Sequence, residues 1–475
     1  MQKEISVDLA IIGAGTAGLS AFKEASKVTK NIVIIDHGPL GTTCARVGCM
    51  PSKTLLQVAD YFYERTYFEK MGITGADQLK IDIKKVMRHV RQLRDYFTAG
   101  TVKYLESLGD PFIKGHAELC EPNIIKINQQ KIIAKSIIIA TGANSIIPEE
   151  WQLFPSLLTS ENIFEQDFFH EKMAVIGAGP IGLELGQALS RLNIEVSAFH
   201  SHEFIGKLTD PIINAAAIKI LRDEFSLYVG NNRVSVEKNN GEFLIKNDKQ
   251  TIATQQILAT IGKKSNITDL NLERFGVAVN ASGIPLYDDT TMQINLSKIF
   301  IAGDVDQDKP LLHEAADEGR IAGYNAVRDK PHCFMRRTPL MITYTQPNIA
   351  IVGKSYRSLK EIDFIIGAVN FNDQGRARIQ SKNRGILHIY ADRENGKLLG
   401  AEMIAPAGEH LAHMLAWAVQ QNKSVFDILQ MPFYHPAVEE GMRTALQEIA
   451  KQVIKKQSSF DLVMCHSEAA AQCLC

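Results

Sequence analysis

The chain has 475 residues, too many for one hydrophobic core, and its 45% apolar content is ample for several globular domains. Lysine and arginine total 52 against 53 aspartates and glutamates, which excludes an electrostatic case for nucleic acid or an anionic membrane and points to small-molecule or protein partners. No apolar run is as long as a bilayer span, the start Met1-Gln2-Lys3-Glu4-Ile5 leads into a strand without a signal-peptide core, and seven cysteines do not make a secreted disulfide framework, so a cytoplasmic location is expected.

Residues 7–12 form a buried-strand run, followed at once by Gly13-Ala14-Gly15-Thr16-Ala17-Gly18, a helical stretch over 19–26 and a second strand over 31–35 that ends in Asp36. This is a dinucleotide-binding unit. Gly13 permits the tight turn, Gly15 lets backbone approach a pyrophosphate, Gly18 lets helix pack on strand, and Asp36 accepts hydrogen bonds from a ribose.

Next comes Gly41-Thr42-Thr43-Cys44-Ala45-Arg46-Val47-Gly48-Cys49-Met50-Pro51-Ser52-Lys53. Residues five apart on an ideal helix are offset by about 140°. Bonding Cys44 to Cys49 therefore needs a local break, for which Gly48 and Pro51 are suited. So short a loop adds little stability, and a close cysteine pair in a reducing compartment is catalytic more often than structural. The residues alone leave two readings: a redox pair, or two buried thiols.

Residues 62–105 read as long helices with apolar residues at helical spacing, a core pattern without chemistry. A buried strand then ends in Ala140-Thr141-Gly142, and a matching run over 256–262 ends in Gly262; each is expected to return the chain to the end of its sheet. Between them the glycine pattern repeats as Gly177-Ala178-Gly179-Pro180-Ile181-Gly182, with a helix over 183–192 and a strand over 194–199. His200 follows Gly177 by the same 23 residues that separate Asp36 from Gly13. An acid there favours NAD and nearby arginines favour NADP; His200, Ser201, His202 and Lys207 leave the preference open. A strand over 298–304 ends on Asp304, a candidate for a second hydrogen bond to a sugar chain, and a helix is expected over 311–327. The last domain begins after Thr338 and carries Phe433-Tyr434-His435-Pro436-Ala437-Val438-Glu439-Glu440. Pro436 is expected at the first helical position, placing His435 at a helix start with Glu440 little more than a turn on, able to fix the imidazole tautomer.

Taken together, these motifs resemble the pyridine nucleotide–disulfide oxidoreductases, flavoenzymes that include dihydrolipoamide dehydrogenase, glutathione reductase and mercuric reductase. The resemblance runs from about residue 5 to 455. It implies an α/β fold: two Rossmann-like dinucleotide-binding domains, for FAD and NAD(P), plus a C-terminal α+β dimerisation domain. The implied divisions are 1–148 (FAD, first part), 149–270 (NAD(P)), 271–337 (central, completing the FAD site), 338–456 (interface) and a tail, 457–475.

By the same resemblance FAD is held by Gly13, Gly15, Gly18, Asp36, Thr43, Lys53, Thr141, Gly142 and Asp304, and the nicotinamide nucleotide by Gly177, Gly179, Gly182, His200 and Gly262. NAD(H) is favoured, with NADP(H) the alternative; no metal site is implied. Cys49 is the thiol beside the flavin and Cys44 the one that exchanges with substrate. Lys53 pairs with Glu184 near the flavin. His435, held by Glu440, is the general acid/base and serves the disulfide of the other subunit of a homodimer. The string around the cysteines is most similar to dihydrolipoamide dehydrogenases, which implies dihydrolipoamide or the lipoyl domain of a multienzyme complex as partner. Thr42, Phe433, Ala437 and His200 depart from that pattern. The alternatives are an NAD(P)H-dependent reductase of glutathione or thioredoxin, a mercuric-reductase-like enzyme using the tail cysteines Cys465, Cys473 and Cys475, or a pyridine nucleotide transhydrogenase.

Overall fold

Both faces of the first strand are apolar, and both are covered. In the strand Lys3–Ile12, Leu9 and Ile11 join one core with Ala21, Ile34, Ile138 and Phe300, whereas Ala10 and Ile12 join another with Val33, Ile35, Ile137 and Ile301. Burial on two sides belongs to a parallel sheet.

The structure is a computed structural model that describes residues 3–154, 157–230, 234–239, 241–248, 250–295, 297–455 and 462. Cys465, Cys473 and Cys475, and with them the relay reading of the tail, lie outside the described residues. The chain divides into two units: Met1–Phe62 with Leu79–Glu171 and Gln255–Arg336, and Tyr63–Gln78 with Lys172–Thr254 and Arg337–Cys475.

In the first unit the parallel strands run Ile299–Ile301, Gln130–Ile139, Lys3–Ile12, Ile32–Asp36 and Phe112–Lys114 across the sheet. The strand Gln130–Ile139 is paired on both sides, so it lies inside the sheet rather than at its end, contrary to the sequence expectation. Its length explains the difference: its later residues pair with both parallel neighbours, while its start also carries the antiparallel strand Ile124–Ile127. The helices Thr16–Ala25 and Leu312–Ala326 pack closely, because a Cβ at Gly319 would stand 2.1 Å from Ala17 O and one at Gly323 2.4 Å from Ala21 O. The expected long helices appear as Cys49–Phe68 and Ile83–Ser107, separated by short single turns.

The second unit contains three parallel strands, Lys172–Ile176, Glu195–Phe199 and Ser226–Tyr228, with the helices Pro180–Arg191 and Pro211–Arg222. It also holds a five-stranded antiparallel sheet in the order Leu340–Thr343, Asn348–Gly353, Leu398–Ala405, Ile386–Asp392, Phe364–Asn370. The helices Gly408–Gln420 and Glu440–Gln452 supply Leu411, Leu415, Leu446 and Ile449 to its core. Inside this unit Glu402 is fully buried, and its carboxylate accepts hydrogen bonds from Thr209 N, Thr209 Oγ1, Asp210 N and Tyr356 N at 2.5–2.9 Å. Asp210 caps the helix Pro211–Arg222 and is met by His388 Nδ1 at 2.7 Å and by the Tyr390 hydroxyl at 2.9 Å. No described helix is long and apolar enough to cross a membrane.

Candidate active site

The cysteine segment folds as two helices with one broken residue between them. Thr42 Oγ1 caps the helix Thr43–Val47 by accepting the Ala45 N–H, and Gly48 (φ −121°, ψ −119°) interrupts it before the helix Cys49–Phe68 begins. The break sits where the spacing requires one. A Cβ on Gly48 would lie 3.0 Å from both Cys44 Cα and Thr43 O, so the residue between the cysteines must be small for the backbone to fold back this tightly. As a result the half-buried Cys44 thiol is hydrogen-bonded to Cys49, and this contact, with burial and the charge of Cys49, holds its pKa far above the ordinary thiol range; Lys53 pulls the other way. A thiol so disposed is a poor nucleophile until a base removes its proton.

The two glycine turns share one construction. Gly13 has φ +107° and a Cβ there would stand 2.1 Å from Ala140 O; Gly18 packs equally close against Gly13 O. Asp36 Oδ2 accepts the Ala14 N–H at 2.7 Å and Oδ1 accepts the Gly38 N–H at 2.6 Å. In the second unit Gly177 has φ +111°, the helix Pro180–Arg191 starts from Gly179, and Gly182 is buried at its first turn. There His200 Nδ1 accepts the Ala178 N–H at 3.2 Å, and Nε2 faces Phe204 O at 3.1 Å.

These residues fit dinucleotides. The space beside Gly15, Gly142 and Gly179 is open, with no atom within 4 Å of a Cβ built there. Thr141 Oγ1 is buried with no hydrogen-bond partner among the described residues, as expected of an atom that a ligand satisfies. Gly142 and Gly262 both have positive φ, and Ile146 N donates to Gly262 O in the short pairing of Ala143–Ser145 with Lys263–Ser265. Asp304 Oδ2 lies 3.7 Å from Lys263 Nζ. Lys53 lies on the helix Cys49–Phe68, and Glu184 in the second unit, where it is buried and its Oε1 accepts the Tyr344 N–H at 2.8 Å.

His435 and Glu440 are together, although not as the sequence implied. The helix begins at Glu440, not at Pro436, and the His435–Pro436 peptide bond is cis. The turn before the helix is closed by Glu440 itself, whose Oε2 accepts the Ala437 N–H at 3.1 Å. His435 Nδ1 stands 3.0 and 3.2 Å from the two carboxylate oxygens. The imidazole and the Ala437 N–H hold Glu440 below the usual carboxylate range, so the acid is ionised and orients the ring with Nε2 outward. The motifs assign no role to Arg46, whose one signal in the sequence is a charge set between the two cysteines.

Two glycine-turn nucleotide folds, a close cysteine pair and a histidine–carboxylate pair on a separate antiparallel-sheet domain define a two-nucleotide disulfide oxidoreductase. Residues 7–319 match the pyridine nucleotide-disulphide oxidoreductase family and residues 340–446 match its dimerisation domain, so the chain belongs to that family. The family implies FAD and a nicotinamide nucleotide as cofactors. Mercuric reductase of Bacillus cereus is 29% identical over 462 residues, covering 94% of this chain and 72% of the relative. Dihydrolipoyl dehydrogenase of Bacillus subtilis is 25% identical over 448 residues, covering 92% and 95%. Among solved structures, LpdA of Mycobacterium tuberculosis aligns with a TM-score of 0.82 at 24% identity over 93% of this chain and 100% of that one. The HOCl-induced flavoprotein disulfide reductase RclA of Escherichia coli aligns at 0.79 and 19%, over 93% and 98%. Both likenesses concern the fold.

Proposed function

We propose that the enzyme oxidises dihydrolipoyl groups to the cyclic disulfide with NAD⁺ as acceptor, working as a cytoplasmic homodimer whose active site is shared between subunits. The observation that carries this reading is the contact of Cys44 with Cys49 across Gly48. In the oxidised enzyme these two sulfurs are bonded. His435, reaching the pair from the other subunit, takes a proton from one substrate thiol at Nε2, and the thiolate attacks Cys44 and displaces Cys49. The second substrate thiol then closes the lipoyl ring and releases Cys44, leaving both cysteines reduced. FAD, when bound, carries the electron pair on from Cys49 to the nicotinamide. Lys53 sets a positive charge beside that site. Thr43, Asp36, Thr141, Gly142 and Asp304 position FAD, and His200 borders the nicotinamide nucleotide.

The 29% identity to mercuric reductases favours a second reading, reduction of a metal ion through the tail cysteines. A panel of lipoamide, glutathione disulfide, thioredoxin and Hg(II), each with NADH and NADPH, separates the two. Turnover of lipoamide with NADH, unaffected by Cys473→Ser and Cys475→Ser, is the expected result. Hg(II) turnover lost in those variants, with no lipoamide activity, would transfer the assignment to the second reading.

A further inference from the structure

Arg46 stands between the two cysteines in sequence. The cation that lowers the Cys44 pKa is Lys53. On the helix Thr43–Val47 Arg46 is three residues from Thr43 and so shares that residue's face. The groups whose charges it feels are Glu161, Asp36 and Glu165, which attract it, and Arg94, which repels it.

None of those carboxylates touches it. Among the described residues its side chain makes no hydrogen bond or ion pair, and Nε is buried without a partner. The neighbouring acids are engaged elsewhere: Asp36 by Ala14 N and Gly38 N, Glu161 by Ser145 N, Glu165 by Arg94. A half-buried guanidinium without a contacting anion is costly, and its burial depresses its pKa. The missing anion is therefore a ligand's. The Gly13–Gly18 turn offers a dinucleotide open space at Gly15 and the N-terminus of Thr16–Ala25, worth about half a positive charge, with no cation in that first turn.

We propose that Arg46 is a cofactor-binding residue whose guanidinium pairs with the diphosphate of FAD seated on the Gly13–Gly18 turn. This rests on the family's use of FAD, and goes beyond it by giving the diphosphate a cation that the glycine motif does not supply. The bond is charge-assisted, and Arg46 joins the cysteine segment to the nucleotide, so that filling the FAD site also fixes the helix that carries Cys44.

The test compares the wild-type enzyme with Arg46→Met and Arg46→Lys after flavin removal. FAD binding is titrated by quenching of flavin fluorescence, and melting is measured with and without FAD. Arg46→Met is expected to weaken FAD by about ten- to a hundredfold, the range of one charge-assisted hydrogen bond, and Arg46→Lys to recover part of that loss. The flavin-free Met variant should melt no lower than flavin-free wild type, because it has lost an unpaired cation. Wild-type FAD affinity in Arg46→Met, or an equal fall in melting temperature with and without flavin, would overturn the inference. A wild-type chain that takes up no FAD would instead overturn the cofactor reading on which it rests.

Discussion

Asp36 and His200 hold corresponding places in the two glycine-rich units: each accepts the N–H of the alanine between the first two glycines, Ala14 at 2.7 Å and Ala178 at 3.2 Å. Each carboxylate oxygen accepts one N–H and keeps a lone pair for a further donor. The imidazole has none to spare, because Nδ1 takes the Ala178 N–H and Nε2–H then donates to Phe204 O. Burial, joined by the nearby His202, also lowers the His200 pKa, so the ring is neutral at pH 7 and offers no cation to a 2′-phosphate. His200→Asp should therefore lower KM for NADH by about tenfold and raise that for NADPH, through a new hydrogen bond to the ribose hydroxyls. Steady-state kinetics with both nucleotides checks this. An equal change for the two would mean that His200 does not border the ribose.

A second expectation concerns proton transfer. His435→Gln removes the proposed base and should lower kcat for lipoamide by about 10²–10⁴-fold while leaving bound flavin unchanged. Glu440→Gln should cost less, since it keeps the orienting contact at Nδ1 and removes only the carboxylate charge beside the ring. Glu440 is held below the usual carboxylate range, so its own protonation should not limit the rate at neutral pH. A His435→Gln enzyme with wild-type kcat would remove that residue from the mechanism.

Glu224 is the centre of a buried ion pair in the second unit. Arg191 meets its Oε2 with Nε at 2.7 Å and its Oε1 with Nη2 at 2.9 Å, and Arg384 Nη2 reaches the same Oε1 at 2.7 Å. The Arg191 and Glu224 side chains are 4% and 2% exposed, and Arg191 also lies over the Tyr63 ring. Truncating the acid strands two guanidinium groups, a loss of about 3–5 kcal/mol. Urea denaturation of Glu224→Ala should show it as an earlier midpoint, and an unchanged midpoint would refute it.

Acidic pH should stabilise the first unit through Asp306. Burial, then the neighbouring Glu318 carboxylate, pushes its carboxyl up to about 8. Its Oδ2 meets no donor among the described residues, an arrangement that a proton shared with Glu318 satisfies. Glu318 and Glu314 are in turn bound by Arg336 at 2.7 and 2.6 Å. Between an unfolded value near 3.8 and the folded value near 8, the native chain holds the extra proton, so stability falls as pH rises across that interval. Melting temperatures from pH 5 to 9 should decline, and Asp306→Asn should flatten the decline. A variant with the same slope as wild type would place the titration elsewhere.

Much of this was legible in the residues because it depends on local chemistry. Glycine spacing marked both nucleotide turns, since only a residue without Cβ fits 2.1 Å from Ala140 O at Gly13. The break at Gly48 followed from helical geometry, and Glu440 beside His435 from their spacing. What failed depended on partners distant in sequence. Nothing around Pro436 reveals that Glu440 closes the preceding turn and delays the helix to its own position. The interior place of Gln130–Ile139 is set by Lys3–Ile12 and Ile299–Ile301, and that Arg46 lacks a partner among the described residues is visible only once Glu165 is seen taken by Arg94.

The central claim is that Cys44 and Cys49 exchange an electron pair as a dithiol and a disulfide. Trapping thiols with iodoacetamide before and after one equivalent of NADH under anaerobic conditions, followed by peptide mass analysis, tests it directly. The air-oxidised enzyme should yield Cys44 and Cys49 in one disulfide-linked species, and the reduced enzyme should yield both alkylated. Two alkylated cysteines before NADH, or an intact link after it, would contradict the account.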